Sequence, residues 1–292
     1  VGEIGLSAMT VANPIMIVFM AVAMLIGNGG NALAALRLGE GKRDEAERAL
    51  GNVVSLSLVA AVIVLVIGWN PALVSWVLDL ASATSEVRPY AQTFIQILCA
   101  GFILQCIGLG VNNFIRTCGA PNRALGTMVI GLVGSVAFNA LFVLALGWGV
   151  MGSALATVLG WACSCLAVLQ YFCLRSDVPM RLRLPAMRLS FSMDRTILAF
   201  GLPSFCVQAG MAIVNFVINF QLVRYGALTP IGADDALAAI GVVQRIGQFS
   251  VMPLIGIAIA LQPLLGFNYG AHNVNRVRKT LWYGTVSYTH LR

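Results

Sequence analysis

Charged residues of this 292-residue chain gather in short clusters. Between them lie charge-free intervals at 4–36, 49–78, 89–115, 124–174 and 196–223, with another at 236–275 broken only by Arg245. Each interval can hold the roughly 20 apolar residues with which a helix crosses a bilayer, and a helix satisfies its backbone polar groups within its own segment. The interval 124–174 is too long for one span and carries a turn signal, Gly147-Trp148-Gly149 with Gly152 beyond, so it predicts two helices. Seven spans result, and an eighth begins near Leu281 and is not completed. The chain opens on Val and its apolar pattern fades within VSYTHLR, so the expectation is a fragment whose last residues need not be native.

Composition agrees with this pattern. Hydrophobic residues make up 59% of the chain and charged residues 10%, which excludes a water-soluble domain of this size. A net charge of +7 raises the question of nucleic acid, but the distribution answers it. The connections 37–48, 116–123, 175–195 and 276–279 hold fourteen of the eighteen Lys and Arg residues, and the opposite set holds only Arg88 and Arg224. This positive-inside bias places the basic loops in the cytoplasm of a multi-pass protein, with Trp69, Trp76 and Trp148 near the outer interface and no nucleic-acid partner. Cys99, Cys106, Cys163, Cys165, Cys173 and Cys206 lie in spans and Cys118 in a cytoplasmic loop. They read as small packing residues in a reducing compartment; Cys163 and Cys165 point about 200° apart on a helix and cannot share a metal.

The chain also repeats itself. Shifted by 231 residues, segment 6–50 aligns without a gap on segment 237–281, with Leu6, Ala8, Val11, Leu33, Gly39 and Leu50 meeting Leu237, Ala239, Val242, Leu264, Gly270 and Leu281. The shared order is a long apolar helix, a glycine, a short polar turn and a basic amphipathic start. Both copies end on the basic side, so the repeats are parallel, related by an axis along the membrane normal. The polar stretch between them, LRSDVPMRLRLPAMRLSFSMDRT, predicts lobes at 1–174 and 196–292 joined by a cytoplasmic linker at 175–195.

With QP-x-x-G-x-NYGA at 262–271 and G-x-x-G-S-A-x-A-T at 149–157, this unit resembles the multidrug and toxic compound extrusion (MATE) transporters, in particular their MepA-like and DinF-like bacterial subfamily. The resemblance implies an all-α, two-lobe helical bundle of twelve helices, of which this chain covers the second to eighth and the start of the ninth. It also implies a coupling site for Na⁺ or H⁺ in the first lobe, with Asn139 and Thr157 at matching positions. Val143 stands where the family has an Asp, so the acid that coupling needs is expected from the absent first helix.

Polar residues inside the spans are the candidates for a substrate cavity, because such groups are costly in lipid unless they face a cavity or a neighbouring helix. Ser204, Gln208, Asn215 and Asn219 recur at intervals of 4, 7 and 4, and Gln244, Gln248 and Gln262 share a face of the next span. These amides either line one cavity or only bond helix to helix. Arg245 has no acid at its depth, so it meets a partner outside the chain, water, carbonyls or substrate, or else snorkels to an interface. Pro14, Pro253 and Pro263 loosen or kink their helices, as static shape or as hinges. Gly29 and Gly30 read as close packing.

The expectation is therefore a monomeric cation-coupled antiporter in a bacterial inner membrane. It would export organic, often cationic drugs by alternating access, with no cofactor and no metal. A lipid or lipid-linked oligosaccharide flippase is the rival, although several cavity cations would be expected for phosphate head groups. A membrane-embedded enzyme would need clustered His, Asp, Glu or Cys, and His272 and His290 lie near no acid in sequence.

Overall fold

The computed structural model describes residues 2–80, 85–175, 178–226 and 233–290. Its helices are α1 (Gly2–Gly39), α2 (Arg43–Gly68), α3 (Pro71–Leu80), α4 (Arg88–Gln105), α5 (Asn112–Thr117), α6 (Pro121–Asn139), α7 (Gly149–Leu174), α8 (Phe191–Gly226), α9 (Ala233–Gly270) and α10 (Val274–His290). Two π-helical segments, Cys106–Val111 and Ala140–Ala145, join α4 to α5 and prolong α6. Among the described residues there is no strand, and seven helical stretches are long and apolar enough to cross a membrane.

These stretches fall on the charge-free intervals. The long one divides where Gly147 and Gly149 take φ of +66° and +56°, a region glycine enters without steric cost. Two boundaries differ from the sequence reading. Interval 49–78 holds α2 and also the short α3, because Asn70 caps a new helix by accepting from the Ala72 and Leu73 amides at 3.0 and 3.4 Å ahead of Pro71. Helix α8 starts at Phe191, inside the stretch read as linker, since Asp194 in its first turn suits the positive end of a helix.

The remainder of that stretch is docked. Met180 is fully buried, the Arg181 amide donates to Glu47 Oε1 at 3.0 Å, and Ser55 Oγ donates to the Met187 carbonyl at 2.6 Å. A short 3₁₀ turn, Leu184–Met187, lies so close to α2 that a Cβ on Gly51 would strike the Ala186 carbonyl. The connection is thus strapped to α2.

The repeat is visible in three dimensions. Helices α1 and α9 each have 38 residues, and both of their ends differ by 231 in number, as do the starts of α2 and α10. After α1, the amides of Glu40, Gly41, Lys42, Arg43 and Ala46 donate to the carbonyls of Leu36, Leu38, Arg37, Gly41 and Lys42. After α9, the amides of Ala271, His272, Asn273, Val274 and Val277 donate to Phe267, Tyr269, Asn268, His272 and Asn273, the same five bonds 231 residues on. Both are Schellman turns, in which a left-handed residue lets two amides reach back to orphan carbonyls.

The two copies touch reciprocally at this end. A Cβ on Gly39 would strike the Phe267 carbonyl, and one on Gly270 would strike the Leu36 carbonyl. Each contact is the other shifted by 231, so α1 and α9 cross about a local two-fold. Gly266 sits on it: a Cβ there would lie 2.9 Å from Ala35 Cβ, its own repeat equivalent. Helix α1 is also clamped to α8, where a Cβ on Gly29 would strike the Ile197 carbonyl and one on Gly201 the Leu25 carbonyl. Close packing of small residues replaces the hydrophobic driving force that lipid does not supply.

Candidate functional site

Where α1 is pinched between its neighbours, it carries Asn28. Asn113 Nδ2, on α5, donates to Asn28 Oδ1 at 2.8 Å, and Asn28 Nδ2 donates to Ser204 Oγ on α8 at 3.1 Å. From α9, Gln262 Nε2 donates to the Asn28 carbonyl at 3.1 Å. Arg116 extends the chain by donating to Asn113 Oδ1 at 2.6 Å, and Thr117 Oγ1 donates to Asn31 Oδ1 at 2.6 Å one turn further along α1. One side chain thereby joins α5 and α8, and its backbone joins α9. Such bonds cost little to keep but leave several amides unpaired if broken.

On the basic side of this seam lies a cavity of about 790 Å³. Leu38, Arg43, Arg116, Thr117, Ile259 and Pro263 are among the residues that line it, so it separates the turns of the first repeat from the face of α9. The volume suits a drug-sized molecule. Beside it, Arg37 pairs with Glu40 at 2.8 Å and with Glu45 at 3.0 Å, and Lys42 pairs with Glu40 at 2.9 Å. The hydrogen bonds from Lys42 and Arg37 hold the Glu40 carboxyl below its ordinary range. Cys118, also on the cavity wall, has its thiol pushed by burial up to about 12 and is an inert packing group.

The two polar stripes meet at two places. Ser204 and Gln262 converge on Asn28, and Gln244 Nε2 donates to Asn215 Oδ1 at 3.1 Å. Gln244 and Gln262 share a helical face but not a depth: 18 residues of α9 separate them, about 27 Å of rise. Gln208 is half-buried and Gln248 exposed, so the middle of the stripe is open. The side chains of Pro14, Asn219 and Arg245 lie outside the described residues. Pro14 falls within α1, and Pro253 and Pro263 within α9, with Pro263 buried against the seam.

The residues proposed for coupling each bond within their own helix. Asn139 Nδ2 donates to the Ser135 carbonyl at 3.0 Å and Thr157 Oγ1 to the Ser153 carbonyl at 2.9 Å, each within its own helix. Asn139 is the last residue of α6 before the π-helical segment that carries Val143. Thr157 instead lines a cavity of about 260 Å³ with Gln105, Ser135 and Ser164, in which the buried Gln105 Oε1 has no partner.

Sequence reasoning misses Asn28, Asn31 and Asn113. The signal is present as GNGGN at 27–31 and NN at 112–113, polar side chains inside charge-free runs. Periodicity seeks stripes of several amides on one helix, whereas this cluster draws one to three residues from each of four helices.

Comparison with known proteins returns one consistent group. The MatE family model matches residues 1–141 and 203–290. The multidrug export protein MepA of Staphylococcus haemolyticus is 25% identical over 288 residues, covering 97% of this chain and 60% of MepA, so the chain spans about three-fifths of that relative's length. A solved structure of the MATE multidrug transporter DinF-BH, in complex with rhodamine 6G, superposes with a TM-score of 0.84 at 33% identity, over 97% of this chain and 62% of that one. Against multidrug resistance MATE family transporters of the MOP superfamily, 25% identical, the TM-score is 0.90 for an outward-facing conformation and 0.75 for an inward-facing one. These cover 100% and 99% of this chain, and 63% and 64% of the others.

Proposed function

The chain belongs to the MatE family, and on that premise we propose that it serves a cation-coupled antiporter that exports organic, often cationic compounds from bacteria by alternating access. The observation that carries this reading is the reciprocal crossing of α1 and α9. Two helices related by a local two-fold meet through glycines at the basic end, and the polar seam at Asn28 lies just above the crossing. A contact of this kind can be all made or all broken by rocking one repeat against the other, which is what alternating access requires. The better fit to an outward-facing relative supports it, since α1 and α9 touch at the basic end.

In this reading the transporter acts as a monomer in the inner membrane and needs no cofactor beyond its coupling ion, Na⁺ or H⁺. Asn139 and Thr157 would help hold that ion once an acid is supplied, and the stripes from Ser204 to Asn219 and from Gln244 to Gln262, Arg245 included, would line the substrate path. The test is export of rhodamine 6G, the compound bound in DinF-BH. Cells expressing the whole transporter that this chain serves should accumulate less of it, and collapse of the Na⁺ or of the H⁺ gradient should restore accumulation. Accumulation unaffected by expression, or export indifferent to both gradients, would overturn the reading. A lipid-linked oligosaccharide or lipid flippase is the rival, favoured by Arg43 and Arg116 on the wall of the large cavity. It predicts scrambling of a phosphate-bearing lipid in place of dye export.

A further inference from the structure

A second polar cavity, of about 420 Å³, opens between the start of α6 and the end of α7. Asn122, Arg123, Thr127, Gln170, Tyr171 and Arg175 form its polar lining, and Ile130 and Leu174 complete an apolar flank. No carboxylate among the described residues lines it, and among those residues neither Arg123 nor Arg175 forms an ion pair. The Arg175 guanidinium lies over the buried Tyr171 ring at 5.9 Å, which holds one of the two charges in place. Helix α6 begins here with Pro121 and no side-chain cap, so its positive end adds to the same field.

None of the residues proposed for coupling or for the substrate path lines this cavity. Ile130 and Asn139 are nine residues apart on α6, about 180° around the helix, so Ile130 faces away from Asn139. The faces below it are bare and apolar: Leu125, Val129, Val133 and Leu166 are all exposed. The basic loops put it at the cytoplasmic leaflet, where anionic lipid head groups are found.

We infer that this cavity is a binding site for an anionic phospholipid. Arg123 and Arg175 hold the phosphate, Asn122 and Gln170 bond the polar head, and the acyl chains lie along Ile130, Val133 and Leu174. A soluble phosphate compound would use the arginines but have no use for the apolar flank, which is why the lipid is favoured.

The test titrates the full chain in detergent with phosphatidylglycerol, phosphatidylcholine or inorganic phosphate and reads bound lipid by native mass spectrometry. Phosphatidylglycerol should be retained well above phosphatidylcholine. The double variant Arg123→Gln/Arg175→Gln should retain it about thirty-fold less, the loss expected for two basic contacts at a membrane surface. Arg276→Gln/Arg278→Gln, basic residues outside the cavity, should retain it as the wild type does. Equal retention by the double variant would overturn the site, and competition by inorganic phosphate at the concentration of the lipid would overturn the lipid assignment. Should the double variant not fold, hydrogen exchange of the wild type decides: phosphatidylglycerol, and not phosphatidylcholine, should protect residues 122–130, and equal protection by both would overturn the proposal.

Discussion

The turn after α1 and the turn after α9 have the same backbone and different chemistry. Their five hydrogen bonds correspond one for one, yet Gly41, Glu40 and Lys42 in the first face His272, Ala271 and Asn273 in the second. The left-handed position is Gly41 at φ +78° in one copy and His272 at φ +54° in the other. The Cys118-Gly119-Ala120 turn after α5 has four of the five bonds, Pro121 lacking the amide for the other, with a glycine at φ +81°. What is shared is therefore the backbone that ends each helix and the glycine that lets the copies touch. The charges and the seam have diverged: Asn28 corresponds to Ile259, and Asn31 to Gln262.

The largest effect should come from the shared part. Gly39→Val and Gly270→Val each drive a side chain into a partner carbonyl and should cost about 3 kcal/mol, the upper range for overpacking. Because the two contacts are related by the two-fold, the two losses should be similar. Thermal unfolding in detergent that drops for one and not for the other would break the two-fold.

Next in size is the diverged seam. Asn28→Leu leaves Asn113 and Ser204 without their partner and should cost about 2 kcal/mol, whereas Ile259→Val at the equivalent position should cost about 1 kcal/mol or less. Chemical denaturation of the two variants reads the difference. Equal losses would mean that the hub contributes nothing of its own.

His272→Gly should then stabilise by about 1 kcal/mol, since a residue with a Cβ is strained in the left-handed region, and Gly41→His should destabilise by a similar amount. A matched pair of opposite shifts in unfolding temperature would show that the turns are interchangeable. No gain for His272→Gly would mean that the imidazole has a compensating role.

The smallest effect is on pH. Glu40 has its pKa lowered by Lys42 and Arg37, so its contribution is present above the ordinary carboxylate value of 4.5 and is lost as pH falls through the lower folded value. Ala271 offers no counterpart. Wild type and Glu40→Gln should therefore differ slightly in unfolding temperature at pH 7 and converge in strong acid; a difference that grows on acidification would reverse the sign of this account.

Much of the fold is legible in the sequence because lipid makes severe demands. Charge-free length and an ungapped repeat yield seven spans and the 231-residue correspondence, both of which rest on backbone and burial. The reading fails where a single side chain decides. Asn70 starts α3, and Asn28 organises the seam. Gly29 and Gly30 read correctly as packing, but the partner against which Gly29 packs, α8, is not readable from periodicity.

If α1 and α9 meet about a two-fold and close the basic end in one phase of transport, locking them together must stop export. Ala35 and Gly266 sit on that axis, and a disulfide between cysteines there needs the helices to part by only about 0.6 Å. In the full chain carrying Ala35→Cys and Gly266→Cys, mild oxidation should form a disulfide and stop rhodamine 6G export, and reduction should restore it. A folded double variant that forms no disulfide, or one that exports unchanged while cross-linked, would contradict the account.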